Sequence, residues 1–315
     1  MEAKCACKGV RTCLFCENFR APSKHAISKS KVRHPFVFCP LCELCWPGWR
    51  ENPTTGLDGV PLRVPGIAVY EDFLTPEEEK DLVEDIDRGT WVMSQSGRRK
   101  QDYGPKVNFK KKKVKADGFK GLPRYFTHLE DKMLQTRCIS DFRAVELCNL
   151  DYEPDRGSCI DPHYDDWWLW GSRLVTFNLL SDTVLTLSKS EEHWKLANEN
   201  LIVESDTIFN DAEQEVCERT AHSANCDQWS KEYKDRVSVT NPPRLSVVQI
   251  VLPRRSMLVL WDDARYKWHH SILREDVEKR RMALTVRELS EEFLEDGASY
   301  GDVGAELLSI AKMRV

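Results

Sequence analysis

The chain has 315 residues, of which 41% are hydrophobic and 31% charged, and its formal net charge is −5. A chain of this length can bury a full core, whereas the net negative charge excludes a general attraction to nucleic acid, so any such binding must come from a local patch. No run of 18 apolar residues suggests a membrane span, and the first residues lack the apolar segment of a secretory signal. We therefore expect a reducing compartment, in which the twelve cysteines are thiols or metal ligands.

The first part of the chain is rich in cysteine. Seven of the twelve cysteines precede residue 46, in the pattern Cys5-x-Cys7, Cys13-x-x-Cys16 and Cys39-x-x-Cys42-x-x-Cys45. Pairing Cys13 and Cys16 with Cys39 and Cys42 gives the two-plus-two spacing of a structural zinc site. A tail of reduced thiols and a redox sensor are the alternatives. Residues 1–46 are predicted to form a Cys-rich, zinc-binding segment, and residues 47–60, rich in Pro, Gly, Asn and Thr, a linker.

A helix is predicted after Thr75. Thr75 can cap it, Pro76 suits the first helical position, and Glu78 completes a capping box. Gly89 is the kind of residue that ends a helix. We expect this helix to support the fold rather than to take part in the chemistry.

Residues 98–115 carry nine lysines or arginines, with little acid between them. A run of this kind is either a solvated loop or a surface that contacts substrate. Both interpretations stay open at this point. If the run contacts substrate, the candidate residues are Arg98, Arg99, Tyr103 and Lys106.

Short β-like runs dominate the chain from Val145 onward, and turn residues separate them. The runs are 145–150, 174–180, 184–187, 245–252, 257–261 and 282–289. Many short strands without alternating helices predict a mainly β fold with flanking helices, built as an antiparallel double sheet or jelly roll. Residues 188–243 form a polar insertion in this pattern. An amphipathic helix that includes Leu307 and Leu308 is predicted near the C-terminus.

The sequence His163-Tyr164-Asp165 offers two metal ligands. On an extended strand, residues i and i+2 point to the same face. The pair His269-His270 supplies a third ligand, and only one of the two can join because neighbours on a strand face opposite ways. Two histidines and one carboxylate on a single face leave open positions on an iron(II) ion.

The last strand-like run carries two arginines on one face. Alternation places Arg281, Ala283, Thr285 and Arg287 together. An arginine that points into a barrel is costly unless it meets an anion. Two such arginines suggest a dicarboxylate co-substrate near the metal.

These motifs together resemble the AlkB family of iron(II) and 2-oxoglutarate-dependent dioxygenases. The resemblance covers about residues 60–313 and the first cysteine cluster, and the runs 96–109 and 148–152 are similar to one animal subgroup. It implies a double-stranded β-helix core within residues 61–315. It also implies that iron is held by His163, Asp165 and His270, because His270 stands in the histidine position of the family motif Arg-Tyr-x-Trp-x-His-x-Ile.

The resemblance also implies a site for 2-oxoglutarate, with O2 as the oxidant. Arg281 would bind the distal carboxylate and Tyr152 would touch the co-substrate, while Arg287 would lie nearer the metal, against Asp165 or the other end of the co-substrate. The sequence departs from the family at two points. The family's Asn-x-Tyr is spread over Asn149 to Tyr152, and Ala283 replaces an asparagine.

The reaction implied by the resemblance is oxidative removal of an N-methyl group, with 2-oxoglutarate converted to succinate and the methyl group released as formaldehyde. Relatives in the subgroup are linked to monomethyl-lysine on actin, in the actomyosin system, and alternatively to N6-methyladenine in DNA. We predict the methylated protein as substrate, with methylated DNA as the alternative, and a cytoplasmic and nuclear location. A non-catalytic jelly roll with a zinc knuckle that binds nucleic acid, and a zinc hydrolase, are the competing classes. Three metal ligands together with two inward arginines argue against the non-catalytic module.

Overall fold

Two large β-sheets pack against each other, and helices cover the outer face of one of them. The computed structural model describes residues 6–7, 13–17, 27, 32, 34–50, 52–53, 61–189, 246–294 and 300–315. The strands are β1 (His34–Phe38), β2 (Cys45–Trp49), β3 (Asn52–Pro53), β4 (Ile67–Tyr70), β5 (Val92–Met93), β6 (Arg99–Tyr103), β7 (Lys106–Asn108), β8 (Lys113–Lys115), β9 (Glu146–Tyr152), β10 (Ile160–His163), β11 (Trp170–Leu179), β12 (Thr183–Ser188), β13 (Ser246–Leu252), β14 (Ser256–Leu260), β15 (His269–Ile272) and β16 (Arg281–Leu289). The α-helices are α1 (Leu14–Glu17), α2 (Pro76–Asp87), α3 (Phe126–Met133), α4 (Asp262–Tyr266) and α5 (Gly301–Ala311).

Each of the two sheets has seven strands. The strand order is β4-β14-β11-β16-β9-β6-β5 in the major sheet and β10-β15-β12-β13-β1-β2-β3 in the minor sheet. Strands β7 and β8 form a separate hairpin. All six strand runs predicted from the sequence are present, and the pairing is antiparallel except between β1 and β13. The predicted mainly β fold, a jelly-roll core with flanking helices, is therefore confirmed.

The major sheet is apolar on both faces, because its residues alternate between two cores. In β14, Leu258 and Leu260 join the cluster between the sheets, whereas Met257 and Val259 join the cluster beneath the helices. Full burial of such a side chain stabilises the fold by about 2 kcal/mol. The inner cluster fixes the separation of the sheets and therefore the place of any site between them.

Two predicted helices are confirmed. Helix α2 begins after Thr75, whose hydroxyl accepts a hydrogen bond from the Glu78 N–H at 3.1 Å, while the Glu78 carboxylate accepts from the Thr75 N–H at 2.8 Å. Helix α5 buries Leu307 and Ala311 against the outer face. No helix in the described parts of the chain is both long and apolar enough to cross a membrane.

The N-terminal region differs from the predicted division at residue 46. Strands β1 and β2 belong to the minor sheet, and Cys45 forms an isolated bridge with Leu62. The physical reason is the alternation in β1, which buries Phe36 and Phe38 in the inner cluster. The predicted linker therefore begins inside β2. Of the predicted insertion at 188–243, only residues 188 and 189 lie within the described part of the chain.

Candidate active site

Three potential metal ligands come together at the paired strands β10 and β15. His163 lies opposite His270 in the register, and the two ring centres are 4.2 Å apart. Asp165 follows β10, with Oδ1 4.0 Å from the Nε2 atom of His163. One ligand atom of each residue lies within 4.8 Å of the others. The structure thus brings together the three residues that the sequence singled out.

His269 has a different environment from its neighbour. Its ring packs against that of Tyr164 with the centres 4.0 Å apart and the planes tilted by 38°, and its register partner is Ser188. Tyr164 and His269 each stand next to a member of the trio in the chain, so both face the opposite side of the strand pair. The geometry therefore brings His270, and not His269, into the trio.

Hydrogen bonds fix the orientation of the trio. The Nδ1 atom of His163 lies 2.8 Å from the carbonyl oxygen of Asp161. The Arg287 guanidinium donates to both carboxylate oxygens of Asp165, and buried Arg265 donates from Nη1 to the Asp165 carbonyl oxygen at 2.8 Å. Such contacts behind the ligands hold their donor atoms in place for a metal.

The electrostatics favour the protonation states that bind metal. Burial lowers the pKa of His270 to about 4, although the charge of Asp165 opposes this shift. Burial alone would raise the pKa of Asp165, but Arg287 and the two histidines outweigh it and hold the pKa below its usual range. At neutral pH, His270 is therefore a neutral imidazole and Asp165 a carboxylate, as metal ligation requires.

The residues present fit an iron(II) ion. Two imidazoles and one carboxylate form the donor set of non-haem iron oxygenases. The Nδ1 atom of His270 is buried and has no hydrogen-bond partner among the described residues. An imidazole nitrogen left in this state is destabilising unless a further group joins the site.

Arg281 provides a buried anion site on the facing strand β16. Its guanidinium lies 4.7 Å from the centre of the Tyr152 ring, and its Nε donates to Asn178 Oδ1 at 2.7 Å. Burial lowers the pKa of Arg281. Its Nη1 atom is buried without a hydrogen-bond partner in the part of the chain that the structure describes. A carboxylate of 2-oxoglutarate has the charge and the acceptor atoms to satisfy it.

Arg287 is occupied by carboxylates of the protein itself. It contacts Asp165 and also donates from Nη1 to Glu146. Burial alone would lower the pKa of Arg287, but these two carboxylates hold it well above its usual range. The sequence analysis expected Arg287 to contact either Asp165 or the other end of the co-substrate. In the structure Arg287 contacts Asp165.

The four candidate substrate residues have different environments. Arg98 is buried, 4% exposed, with its guanidinium 5.8 Å from the centre of the Tyr152 ring. Arg99 donates to the buried Asp151 at 2.8 Å, and Tyr103 packs edge-on against Tyr125. Lys106 is exposed on the β7–β8 hairpin. Arg98 therefore lies toward the Arg281 side of the site, and contact with substrate stays a prediction for all four residues.

Three supporting residues were not anticipated from the sequence: Asn178, Arg265 and Glu146. Asn178 is buried between Phe177 and Leu179 near the end of β11, and a buried amide needs a partner. Glu146 stands opposite Arg287 in the register between β9 and β16. Asn178 could have been found from the sequence as a polar residue in a strand-like run. Glu146 could be placed only from the register between β9 and β16, and Arg265 only from the position of α4.

The cysteines group differently from the predicted zinc set. Cys13 and Cys16 lie together with Cys7, their Sγ atoms within 4.8 Å of one another. Cys39 hydrogen-bonds to the Cys42 thiol, and this contact together with burial raises the pKa of Cys42. The set Cys13, Cys16, Cys39 and Cys42 is not brought together, because the turn after β1 is fixed by the minor sheet and α1 lies elsewhere on the core.

Comparisons with known proteins agree with this site. No family model matches the chain. A mouse protein, alpha-ketoglutarate-dependent dioxygenase alkB homolog 4, is 40% identical over 311 residues, which cover 98% of this chain and 94% of the mouse protein. A Caenorhabditis elegans protein described as a DNA N6-methyl adenine demethylase is 32% identical over 332 residues, covering 100% of this chain and 96% of that one. The chain therefore belongs to the AlkB family of 2-oxoglutarate (alpha-ketoglutarate)-dependent dioxygenases.

A solved structure, that of OsALKBH1, aligns with 71% of this chain and 99% of that chain, with a TM-score of 0.43 and 11% identity.

Proposed function

We propose that the chain removes N-methyl groups oxidatively, with iron(II) at His163, Asp165 and His270 and with 2-oxoglutarate at Arg281. The observation that carries this proposal is the pairing of a partly buried His-Asp-His trio with a buried guanidinium whose Nη1 lacks a partner among the described residues. A structural metal site has no need of the second feature. The alternative of a non-catalytic binding module is therefore disfavoured.

The residues of the chain hold and orient the reacting groups. When bound, iron(II), 2-oxoglutarate and O2 together supply the oxidation of an N-methyl group to N-hydroxymethyl, with 2-oxoglutarate becoming succinate and CO2. The N-hydroxymethyl product then divides into formaldehyde and the free amine. Arg287 keeps the Asp165 carboxylate ionised and oriented, the Asp161 carbonyl orients His163, and Arg281 neutralises the co-substrate. Buried Tyr152 and Asn178 flank Arg281 and restrict access of water to its guanidinium.

For the substrate, we propose monomethyl-lysine on a protein such as actin. A cavity of about 490 Å³ has Trp167 and Tyr266 in its wall together with acidic side chains. The three iron ligands and Arg281 do not line this cavity, and its connection to the trio is through the chain, in which Trp167 follows Asp165 by two residues. The aromatic faces attract a methylated ammonium group. Arg173 pairs with the wall residues Asp141 and Glu288. The remaining wall charges, Glu291 and Glu292 against Arg143, leave an excess of negative charge that suits a basic protein segment.

A second candidate substrate is N6-methyladenine in DNA. It is supported by the description of the Caenorhabditis elegans relative. It is also supported by the β7–β8 hairpin, on which Phe109 is 49% exposed and six lysines are exposed, namely Lys106, Lys110, Lys111, Lys112, Lys113 and Lys115. Lysines can follow a phosphate backbone, and an aromatic ring can stack on an extruded base. We also propose a cytoplasmic and nuclear location, because the protein would meet actin in the cytoplasm and DNA in the nucleus.

The test compares formaldehyde release from monomethyl-lysine actin and from N6-methyladenine DNA. It uses wild type and a variant with Lys110, Lys111, Lys112 and Lys113 replaced by Ala. A variant with Lys80 and Lys312, both exposed away from the hairpin, replaced by Ala is the control. We expect release from the methylated protein. Release from DNA alone, lost in the hairpin variant with a weaker salt dependence, would reject the protein substrate. No formaldehyde from either substrate, although wild type binds iron and 2-oxoglutarate, would reject the proposed demethylation.

A further inference from the structure

We propose that Cys7, Cys13 and Cys16 bind a structural zinc ion. This ion would fasten the N-terminal segment, of which residues 6–7 and 13–17 are described, to the dioxygenase core. The three Sγ atoms lie within 4.8 Å of one another. Thiolates around a tetrahedral zinc ion, with bonds of about 2.3 Å, are separated by about 3.8 Å. Only a small adjustment is therefore needed to form the site. Three thiolates leave one position of a tetrahedral zinc ion for a fourth ligand.

Helix α1 requires such a support. It has only four residues, and two of them, Leu14 and Phe15, are 40% and 51% exposed. A single turn of helix is unstable in isolation, and this one gains little from burial of apolar side chains. Cys16 is the buried side chain of α1, and Cys13, directly before the helix, is also buried. Among the described residues of this segment, the thiols are thus the buried groups that can hold the turn in place.

The segment contacts the core at three separate points. Glu17 accepts two hydrogen bonds from Arg274, at 2.6 and 2.7 Å. The Ser96 N–H donates to Cys7 Sγ at 3.2 Å, as expected for a ligand that carries negative charge. Leu14 packs so closely on Gly157 that an added Cβ there would lie 2.4 Å from Leu14 Cγ. These contacts seat the three thiols at a defined place on the protein.

The contact at Ser96 leads to the co-substrate site, and this step depends on the proposed function. Ser96 stands two residues before Arg98, whose guanidinium lies over the Tyr152 ring. The Ser96 carbonyl also accepts from the Cys159 N–H at 3.1 Å. A metal-bound Cys7 would therefore hold the loop that positions Arg98 beside Tyr152 and Arg281. Loss of zinc should loosen this loop and weaken the binding of 2-oxoglutarate.

The first experiment measures zinc per chain by elemental analysis in the full-length, reduced protein. The variant His163→Ala/His270→Ala is included so that zinc in the active site does not count. We expect zinc in this variant and its loss when Cys7, Cys13 or Cys16 is further changed to Ser. The matched controls Cys39→Ser and Cys42→Ser should keep zinc. If Cys7→Ser keeps zinc while Cys39→Ser and Cys42→Ser lose it, the proposal is overturned in favour of a site formed by Cys13, Cys16, Cys39 and Cys42.

A second measurement does not depend on the folding of a cysteine variant. Cobalt(II) is exchanged for zinc in the His163→Ala/His270→Ala protein, and its absorption spectrum is recorded. We expect thiolate-to-cobalt charge-transfer bands and the visible bands of tetrahedral cobalt. A spectrum of octahedral cobalt without thiolate bands would overturn the site.

The effect on the co-substrate is tested by anaerobic titration of 2-oxoglutarate into the variants Cys16→Ser and Cys42→Ser, each loaded with iron(II). The titration gives the dissociation constant of 2-oxoglutarate for each variant. We expect several-fold weaker binding in Cys16→Ser only. Equal affinity in the two variants would reject the coupling between zinc and the co-substrate site. If wild type binds no 2-oxoglutarate, the proposed function fails, whereas the zinc measurement keeps its meaning.

Discussion

Arg287 donates to both carboxylate oxygens of Asp165, with Nε 3.0 Å from Oδ2 and Nη2 3.2 Å from Oδ1. Asp165 follows β10 of the minor sheet, and Arg287 belongs to β16 of the major sheet. The pair therefore connects the metal trio with the strand that also carries Arg281. A flat guanidinium can make this two-point contact, which an ammonium group cannot reproduce.

We expect Arg287→Lys to lower the affinity for iron(II) by roughly 10- to 100-fold, because a supporting contact behind a metal ligand is lost. Anaerobic titration with iron(II) measures the change. Arg143→Lys, at an exposed position, is the control. An affinity equal to that of wild type would show that the contact does not position Asp165 for metal.

Changing the two adjacent histidines should give opposite results. His270→Ala removes one of the three ligands and should abolish both iron binding and succinate production. His269→Ala removes a ring that packs against Tyr164 and should keep the metal. Iron content and succinate yield are measured for both variants. The assignment is reversed if His269→Ala is the variant that loses iron.

Arg281→Ala should weaken the binding of 2-oxoglutarate by about 2 kcal/mol, or roughly 30-fold, because the buried co-substrate carboxylate loses its charged partner. Direct titration in the presence of iron(II) gives the dissociation constant. Iron affinity serves as the internal control and should change little. An unchanged dissociation constant for 2-oxoglutarate would remove Arg281 from the co-substrate site.

Asp151 carries a separate prediction about stability. Its buried carboxylate accepts from Arg99, Arg156 and Arg280 at 2.6 to 2.8 Å. We expect Asp151→Asn to lower the free energy of unfolding by about 2 kcal/mol, since three guanidiniums lose their shared anion. Chemical denaturation measures this, with Asp117→Asn, 75% exposed, as the control.

The same residue predicts a pH dependence. Burial alone would raise the pKa of Asp151, but the hydrogen bonds and charges of the three arginines outweigh it and lower the pKa. The stabilisation is therefore complete above the ordinary carboxyl pKa, near 4, and is lost as the pH falls toward the lowered value. Wild type should lose more stability than Asp151→Asn in this acidic range. If the free energy of unfolding falls equally with pH in the two proteins, the prediction is contradicted.

Alternation along single strands accounts for what could be predicted. The inward positions of Arg281 and Arg287 followed from a period of two residues. The same rule led to His163 and Asp165, although β10 ends at His163 and Asp165 lies just beyond it. These signals are local, and they are unaffected by how the rest of the chain is arranged. The choice of His270 over His269 depended on the resemblance to a family, because the sequence of the strand permits either phase.

Long-range arrangement accounts for what could not be predicted. Strand β1 was assigned to a Cys-rich segment because its cysteine neighbours masked the alternation of Phe36 and Phe38. Within the basic run, Arg98 is buried over Tyr152 and Arg99 is partly buried against Asp151, whereas the lysines of the β7–β8 hairpin are exposed. Cysteine spacing permits several pairings, and the docking of α1 on the core selects among them.

The parallel pairing of β1 with β13 has a consequence during protein synthesis. His34 pairs with Ser246, so at about 5 to 20 residues per second β1 leaves the ribosome roughly 10 to 40 seconds before its partner. During that interval β1 can pair with β2, but Phe36 and Phe38 lack the inner cluster that later buries them. A product shortened by its first 49 residues would meet the converse problem. It would present the open edge of β13 to other chains, and it should aggregate rather than accumulate as a free dioxygenase core.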